Sequence, residues 1–465
     1  MAEQFDVVVI GGGPGGYAAA LYGAAAGLRM AVVEREKVGG TCLHRGCIPA
    51  KQFLETATVF RTVAGAKEFG VVADQPTVDF ASAQARKRKV VEQLWKGLQT
   101  LMKSRKITTV HGAGTLRDRH TVEVDDGTEL QAAKAVILAS GSAPRTLPGF
   151  HVDGRYVLTS DEVLALDRLP RSAAVIGGGA IGCEFASMLS DLGVQVTILE
   201  ALPKILPGCD SDVADVVVRS FKRRGIEVRT GAKVEGHDPN GEQTTIRLGE
   251  DQTLTVDVIV MSIGRRPLSD TLGLDGAGVN VAVDGKGFVT VDPHMRTGEP
   301  GVYALGDLVN TPQLAHVGFA EAIVAIKDIM GEPVVAVDYE KVPWCIYCHP
   351  EVAFAGLSEQ AAKDAGHDVL ASKHRFNSSS RAMIVGEPEG LVKVVAEKTR
   401  DGKAGRLLGV HMVGPWVTEQ LGEAYLAVNW EATPDEISQY LHPHPTLSET
   451  FGETVMSLTG RGLHG

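Results

Sequence analysis

Cysteine is scarce in this chain, with six in 465 residues. That is too few for a disulfide scaffold, and it fits a reducing, cytoplasmic compartment in which a surviving disulfide is usually catalytic. Positive charge is not in excess either. Forty-six lysines and arginines stand against 57 aspartates and glutamates, a net charge of −11, which argues against a nucleic-acid binder. No run of about 18 apolar residues offers a membrane span. Glu3 and Asp6 stand where a basic leader would begin, and Pro14 and a glycine cluster interrupt the apolar run, so no secretory leader is expected. No second C-x-x-C joins Cys345 and Cys348, so no zinc site is completed and no metal is expected.

Glycine is abundant, with 54 residues clustered beside strand-like apolar runs, as tight turns in α/β folds require. The length suggests about three domains. Residues 5–34 run strand, Gly-rich turn, Ala-rich helix, strand, acid, and residues 173–200 repeat the theme. Each is a βαβ unit of the dinucleotide-binding kind. In the first, Gly11, Gly13 and Gly16 form G-x-G-x-x-G after Val7-Val8-Val9-Ile10, and Glu34 follows where a carboxylate holds ribose hydroxyls. The second has Gly177, Gly179, Ile181 and Gly182, then Glu200. Leu202 and Pro203 follow with no arginine beside the acid, so NAD(H) is favoured over NADP(H). Ala143 to Gly149 reads as an interdomain crossing, and from about Pro343 the texture becomes α+β.

Cys42 and Cys47 lie in Gly39-Gly40-Thr41-Cys42-Leu43-His44-Arg45-Gly46-Cys47-Ile48-Pro49-Ala50-Lys51. Five positions apart, they do not share a helix face, so a bridge needs an irregular turn, which Gly46 supplies. A helix starting there lowers the pKa of Cys47, and Lys51 adds positive charge. Two dinucleotide sites and a dithiol imply a relay from nicotinamide to flavin to disulfide. The cysteines follow the first unit, so that unit is expected to hold FAD. Cys345 and Cys348 read as structural residues of a strand, with a second redox pair as the alternative. Arg86-Lys87-Arg88-Lys89 precedes Val91, Leu94, Leu98 and Leu101 at helical spacing and reads as a solvated helix face, with an anionic-partner patch as the alternative. In the tail, His444 and Glu449 flank a Pro turn. A histidine oriented by a carboxylate suits the proton release of dithiol oxidation, and a plain surface turn is the other reading.

Residues 39–51, the two Gly motifs, Thr297 to Asp307 and His444 to Glu449 together resemble the pyridine nucleotide–disulfide oxidoreductase family, over essentially the full length. The likeness is to the branch that oxidises dihydrolipoyl groups. It implies an FAD-binding domain at 1–145 and 270–342, an NAD-binding domain at 146–269 and a dimerisation domain at 343–465. By that likeness the enzyme is a homodimer, and Cys42 and Cys47 of one subunit meet His444 of the other. Cys47 is then the sulfur beside the flavin, Cys42 the exchanging sulfur, His444 the acid/base and Glu449 its orienting carboxylate. Thr41, Lys51, Gly114, Asp307 and Ala315 match flavin contacts. Glu184, Glu200, Val234 and Gly264 match positions near the nicotinamide dinucleotide. The His444–Pro445 bond is expected to be cis. The partner implied is the lipoyl domain of a 2-oxoacid dehydrogenase acyltransferase or a glycine-cleavage carrier. Rival substrates are glutathione- or mycothiol-type disulfides, and a diaphorase or a non-catalytic subunit are further alternatives. Ala50 departs from the Ser or Thr usual before the lysine.

Overall fold

Continuous valine and isoleucine runs form the inner strands, because a parallel strand covered by helices on both faces has no solvent side toward which to alternate. The computed structural model describes residues 3–249 and 251–464. β1 (Glu3–Ile10) is followed by α1 (Pro14–Ala25), β2 (Met30–Glu34), α2 (Gly40–Arg45), α3 (Cys47–Ala64) and α4 (Phe80–Ser104). Four strands come next, β3 (Thr108–His111), β4 (Gly114–Asp118), β5 (Thr121–Val124) and β6 (Glu129–Leu138). They form one sheet in the order β3-β2-β1-β6-β5-β4. β1 is parallel to both neighbours, with Val8 opposite Ala31 and Val136. α4 begins at Asp79, whose carboxylate accepts the Ser82 N–H at 3.0 Å.

β7 (Ser142–Pro144) leaves this sheet. Then come β8 (Val157–Leu158), α5 (Ser160–Ala165), β9 (Ser172–Ile176), α6 (Ala180–Asp191), β10 (Gln195–Glu200), α7 (Ser211–Arg223) and β11 (Glu227–Thr230). An antiparallel meander, β12 (Val234–Asn240), β13 (Gln243–Leu248) and β14 (Thr253–Val256), precedes β15 (Val258–Met261) and β16 (Arg265–Pro267). The second parallel sheet runs β11-β10-β9-β15-β8. β16 pairs antiparallel with β7, so the outgoing and returning crossings lie side by side. β17 (Val302–Ala304) rejoins the first sheet beside β6, and α8 (Ala315–Ile329) packs on α1.

The last part builds an antiparallel sheet from β18 (Trp344–Ile346), β19 (Glu351–Gly356), β20 (Val369–Arg375), β21 (Leu391–Lys398) and β22 (Ala404–Gly414), in the order β18-β19-β22-β21-β20. Val392, Val394, Val410 and Met412 share one core with Leu421, Phe451 and Val455, from the helices that follow. Among the described residues no helix is long and apolar enough to cross a membrane.

Two details matter for the site. α3 lies against α6. The basic run on α4 is divided: Arg86, Arg88 and Lys89 are exposed, whereas Lys87 turns inward and donates to the Leu164 carbonyl at 2.7 Å. The solvated-face reading therefore holds for three of the four cations only.

Candidate active site

The first Gly loop has the geometry a dinucleotide needs. Gly11 has φ +103°, and a Cβ there would stand 2.2 Å from the Ala139 carbonyl oxygen. A Cβ on Gly16 would stand 1.8 Å from the Gly11 carbonyl, so helix and strand touch only because neither residue has a side chain. Gly13 is the opposite case, with nothing within 4 Å of its Cβ position. It is the N-cap of α1 and offers no side-chain cap, so the helix's first amides face open space, a ready anion site. Glu34 accepts the Gly12 amide at 2.7 Å and the Glu36 amide at 2.8 Å, which fixes its carboxylate at the loop.

The second loop repeats this almost atom for atom. Gly177 has φ +107° and abuts the Ser262 carbonyl, Gly182 abuts Gly177, and Gly179 is open. Glu200 accepts the Gly178 amide at 2.5 Å and the Leu202 amide at 2.7 Å. Gly264, at φ +99°, accepts the Arg145 amide at 3.0 Å where the two crossings meet. Val234 opens β12.

Between the loops, the chain breaks at Gly46. α2 ends at Arg45 and α3 begins with Cys47, so the thiol of Cys47 sits at a helix N-terminus. Both cysteines are free thiols, the reduced form of the pair. The neighbouring Cys42 thiol is the main reason Cys47 is held down to about 7. The Lys51 ammonium helps, and burial and Glu184 oppose. The neighbouring Cys47, with burial, pushes Cys42 far up. The two sulfurs are thus unequal, and Cys47 is the one held toward its thiolate. Tyr17 lies alongside, pushed up to about 12 by burial and by both cysteines.

Lys51 donates to both carboxylate oxygens of Glu184 at 2.8 Å, joining α3 to α6 across 133 residues of sequence. The Tyr347 amide donates to the same carboxylate at 2.9 Å, and the ammonium lies 5.0 Å over the Tyr347 ring. Burial works against the charge on Lys51, but Glu184 outweighs it and holds the ammonium above its ordinary range.

A cavity of about 320 Å³ runs through all of this. Gly11, Gly13, Glu34 and Thr41 line one end, Cys42, Cys47 and Lys51 the middle. Gly114, Asp307 and Ala315 close it from the first unit, and Ile181 and Glu184 from the second. Ala315 opens α8, a second uncapped helix N-terminus at the cavity wall. These residues fit a flavin dinucleotide: there is open space at Gly13, two amide-rich helix starts, and a thiolate beside an ammonium. Gly16, Gly177, Gly179, Gly182 and Glu200 serve the loops without lining this cavity, and Val234 and Gly264 lie outside it as well.

Sequence reasoning missed several residues. Ser142 donates to Asp307 at 2.5 Å, and Arg265 donates to Ser142 at 2.7 Å, tying the crossing strands to the cavity floor. Cys345 also lines the cavity, although its thiol points to the Thr418 carbonyl at 3.8 Å. Cys348 lies beyond the end of β18, fully buried in a different core, with its thiol 3.2 Å from the Pro350 carbonyl. The two thiols of the C-x-x-C therefore serve separate packings.

His444 stands apart from its own chain's cavity. Its ring is 70 % exposed, and Nδ1–H donates to Glu449 at 2.8 Å, leaving Nε2 free. The Thr446 amide donates to the other Glu449 oxygen at 2.7 Å. Burial raises the pKa of Glu449, yet the Thr446 amide and His444 hold it below the usual carboxylate range. The His444–Pro445 peptide is cis. His442 is bound separately, to Glu423 at 2.9 Å.

Comparison with known proteins gives consistent results. The family described as pyridine nucleotide-disulphide oxidoreductase matches residues 5–322, and the dimerisation domain of that family matches residues 342–455. A dihydrolipoyl dehydrogenase of Bacillus subtilis is 41 % identical, covering all of both chains. One from Mycobacterium tuberculosis is 40 % identical over 99 % of each chain. Among solved structures, LpdA from Mycobacterium tuberculosis superposes with a TM-score of 0.90 at 26 % identity, over 98 % of this chain and all of that one. The HOCl-induced flavoprotein disulfide reductase RclA of Escherichia coli gives 0.86 at 25 % identity, over 97 % and 99 %.

Proposed function

The chain belongs to the pyridine nucleotide-disulphide oxidoreductase family, and from that premise we propose that it is a dihydrolipoyl dehydrogenase, oxidising protein-bound dihydrolipoamide to lipoamide and reducing NAD+ to NADH. The observation that carries this reading is the placement of Cys42 and Cys47, with Cys47 opening α3 four residues before Lys51, in one cavity with a dinucleotide loop.

The chain's own residues account for the sulfur chemistry. In the oxidised enzyme, a substrate thiolate attacks Cys42 of the Cys42–Cys47 disulfide. Cys47 leaves as the thiolate that the helix start and Lys51 stabilise, and Cys42 is left in a mixed disulfide with substrate. The second substrate thiol loses its proton to a base and attacks its neighbouring sulfur. Lipoamide departs and Cys42 is released as a thiol. That base is Nε2 of the partner subunit's His444, whose Nδ1–H is oriented by Glu449. His444 is exposed and outside its own cavity, which suits a residue that acts across a homodimer; the dimerisation-domain match supports that assembly. The first Gly loop, with Glu34, would hold FAD and the second, with Glu200, would hold NAD+; a bound flavin would supply two-electron chemistry between the dithiol and the nicotinamide. The lipoyl carrier belongs to a 2-oxoacid dehydrogenase or glycine-cleavage complex, and the scarcity of cysteine fits a cytoplasmic setting.

The test is NADH formation by purified holoenzyme from dihydrolipoamide and NAD+, run beside NADP+. Turnover with NAD+ alone supports the assignment and the role of Glu200. If NADH bleaches the flavin but dihydrolipoamide gives no turnover, the substrate is a different disulfide.

A further inference from the structure

One charged feature has no part in the sulfur chemistry. Residues 80–106 carry eight lysines and arginines and one glutamate, in a chain whose net charge is −11. The concentration lies on α4 and the turn that ends it. α4 crosses the two helices that hold the cysteines: its Trp95 ring meets the His44 ring edge-on at 6.0 Å, two residues from Cys42, and Lys87 lies 5.5 Å over Phe53 on α3.

Between α2 and α4 runs a second groove, lined by Lys37, His44, Lys87, Arg88 and Lys89. Its carboxylates are already engaged. Glu36 is paired with Arg45 at 2.8 Å and Glu92 with Lys96 at 3.1 Å, while Glu34 accepts two backbone amides. Lys37, Arg86, Arg88 and Lys89 have no carboxylate partner among the described residues, and all four are exposed. Lys89, Lys96 and Lys103 recur every seven residues, so they extend the positive flank along the helix. Leu94 and Leu101, 47 % and 40 % exposed, lie on the same helix and add apolar contact.

We propose that this basic groove docks the carrier protein: an acidic face beside the carrier's dihydrolipoyl-lysine seats on α4, placing the dithiol arm over Cys42. The inference rests on the dihydrolipoyl reading above. Its physical basis is charge complementarity. A protein with a net charge of −11 repels an acidic partner over most of its surface and attracts it where Lys37, Arg88 and Lys89, with Arg86 next to them in the chain, lack carboxylate partners among the described residues, in a groove lined also by His44, two residues from Cys42. Surface charges of this kind act mainly on encounter rate and are screened over about 8 Å at physiological salt. Free dihydrolipoamide carries no such face and should not respond to the groove.

The experiment compares two substrates on the holoenzyme: free dihydrolipoamide, and an isolated, reduced lipoyl domain with carboxylates flanking its lipoyl-lysine. The variants are R86E/R88E/K89E and the milder R86Q/R88Q/K89Q; Lys87 is left in place because it binds the Leu164 carbonyl. The expected result is a drop in kcat/KM for the lipoyl domain of about tenfold or more at low salt, with dihydrolipoamide kinetics within about twofold of wild type. In the wild type, rising salt should depress turnover of the lipoyl domain but not of dihydrolipoamide, a check that needs no variant to fold. Equal loss on both substrates, or no loss on either, overturns the docking assignment and leaves the enzymatic reading intact. Absence of dihydrolipoamide turnover in the wild type overturns both.

Discussion

Lys51→Met and Glu184→Gln should move the Cys47 thiol in opposite directions. Cys47 sits at about 7. Lys51 follows it by four residues on α3, which places the two Cβ atoms about 5–6 Å apart. An ammonium at that range lowers a thiol by about one to three pH units, each worth 1.36 kcal/mol. Lys51→Met should therefore raise the Cys47 midpoint to about 8 or above. Glu184 opposes the thiolate, so Glu184→Gln should carry the midpoint below 7. Stability should split the pair the other way. In Lys51→Met, the Glu184 side chain, 8 % exposed, keeps only the Tyr347 amide, and a buried charge stripped of its partner costs about 3–5 kcal/mol. In Glu184→Gln, Lys51 is 34 % exposed and can turn to water, so the loss should be smaller. The assay is the pH dependence of iodoacetamide alkylation of pre-reduced holoenzyme, read on the Cys47 peptide by mass, with thermal unfolding alongside. Midpoints that move the same way in both variants, or in neither, would refute the electrostatic account of Cys47.

Four further outcomes are expected. Gly16→Ala should fail to fold around its first loop, because its Cβ would lie 1.8 Å from the Gly11 carbonyl; Gly13→Ala has room, so it should fold and lose flavin content selectively, as absorbance per chain would show. Burial, with Arg61 and Arg224 nearby, holds the His349 ring down to about 3, below its unfolded value of 6.5. Its contribution is therefore complete above pH 6.5 and lost as pH falls toward 3, at up to about 1.4 kcal/mol per pH unit. Denaturant melts of His349→Asn should be flatter between pH 6.5 and 4, and an unchanged slope would count against this. Asp191, 6 % exposed between Arg61 and Arg224, should cost about 3–5 kcal/mol as Asp191→Ala, because two guanidiniums then face each other; a change within 0.5 kcal/mol, an ordinary surface value, would disprove the clamp. His444→Gln should lower kcat with dihydrolipoamide by about 10²–10⁴-fold, with Glu449→Gln milder, while NADH still reduces the flavin at near wild-type rate.

Local chemistry was readable in the sequence, and partnerships over distance were not. The glycines speak for themselves, since a turn at φ +103° and a site where an added Cβ would stand 1.8 Å from a carbonyl oxygen permit only hydrogen at Gly11 and Gly16. Glu34 and Glu200 were legible as strand-end acids. That each is pinned by two backbone amides was not, because a hydrogen bond to an amide leaves no trace in residue type. Gly46 announced the break between the cysteines. Nothing near Lys51 named Glu184, 133 residues away, as its partner. Lys87 shows the same limit: its neighbours in the basic run are solvated, and it turns inward only because the Leu164 carbonyl of a different unit stands there.

The way α3 meets α6 explains how two dinucleotide units can share one pair of sulfurs. On α3, Cys47, Lys51, Leu54, Thr58 and Arg61 fall at i, i+4, i+7, i+11 and i+14, a single helical face. On α6, which starts at the open glycine of the second loop, Glu184, Ser187 and Asp191 fall at i, i+3 and i+7. The faces are joined at both ends, Lys51 to Glu184 and Arg61 to Asp191. Arg224, from the end of α7, adds a bond to Asp191 at 2.5 Å and binds the His349 carbonyl, drawing the third sheet into the same lock. A hinge between the units would have to break both ion pairs together with the apolar core that α3 and α6 share. The helix that begins at the thiolate and the helix that begins at the second dinucleotide loop are therefore fixed to each other by charge as well as by packing. Electron transfer between their cofactors then needs no domain closure, and the first ion pair of the lock also bears on Cys47, Lys51 favouring its thiolate and Glu184 opposing it.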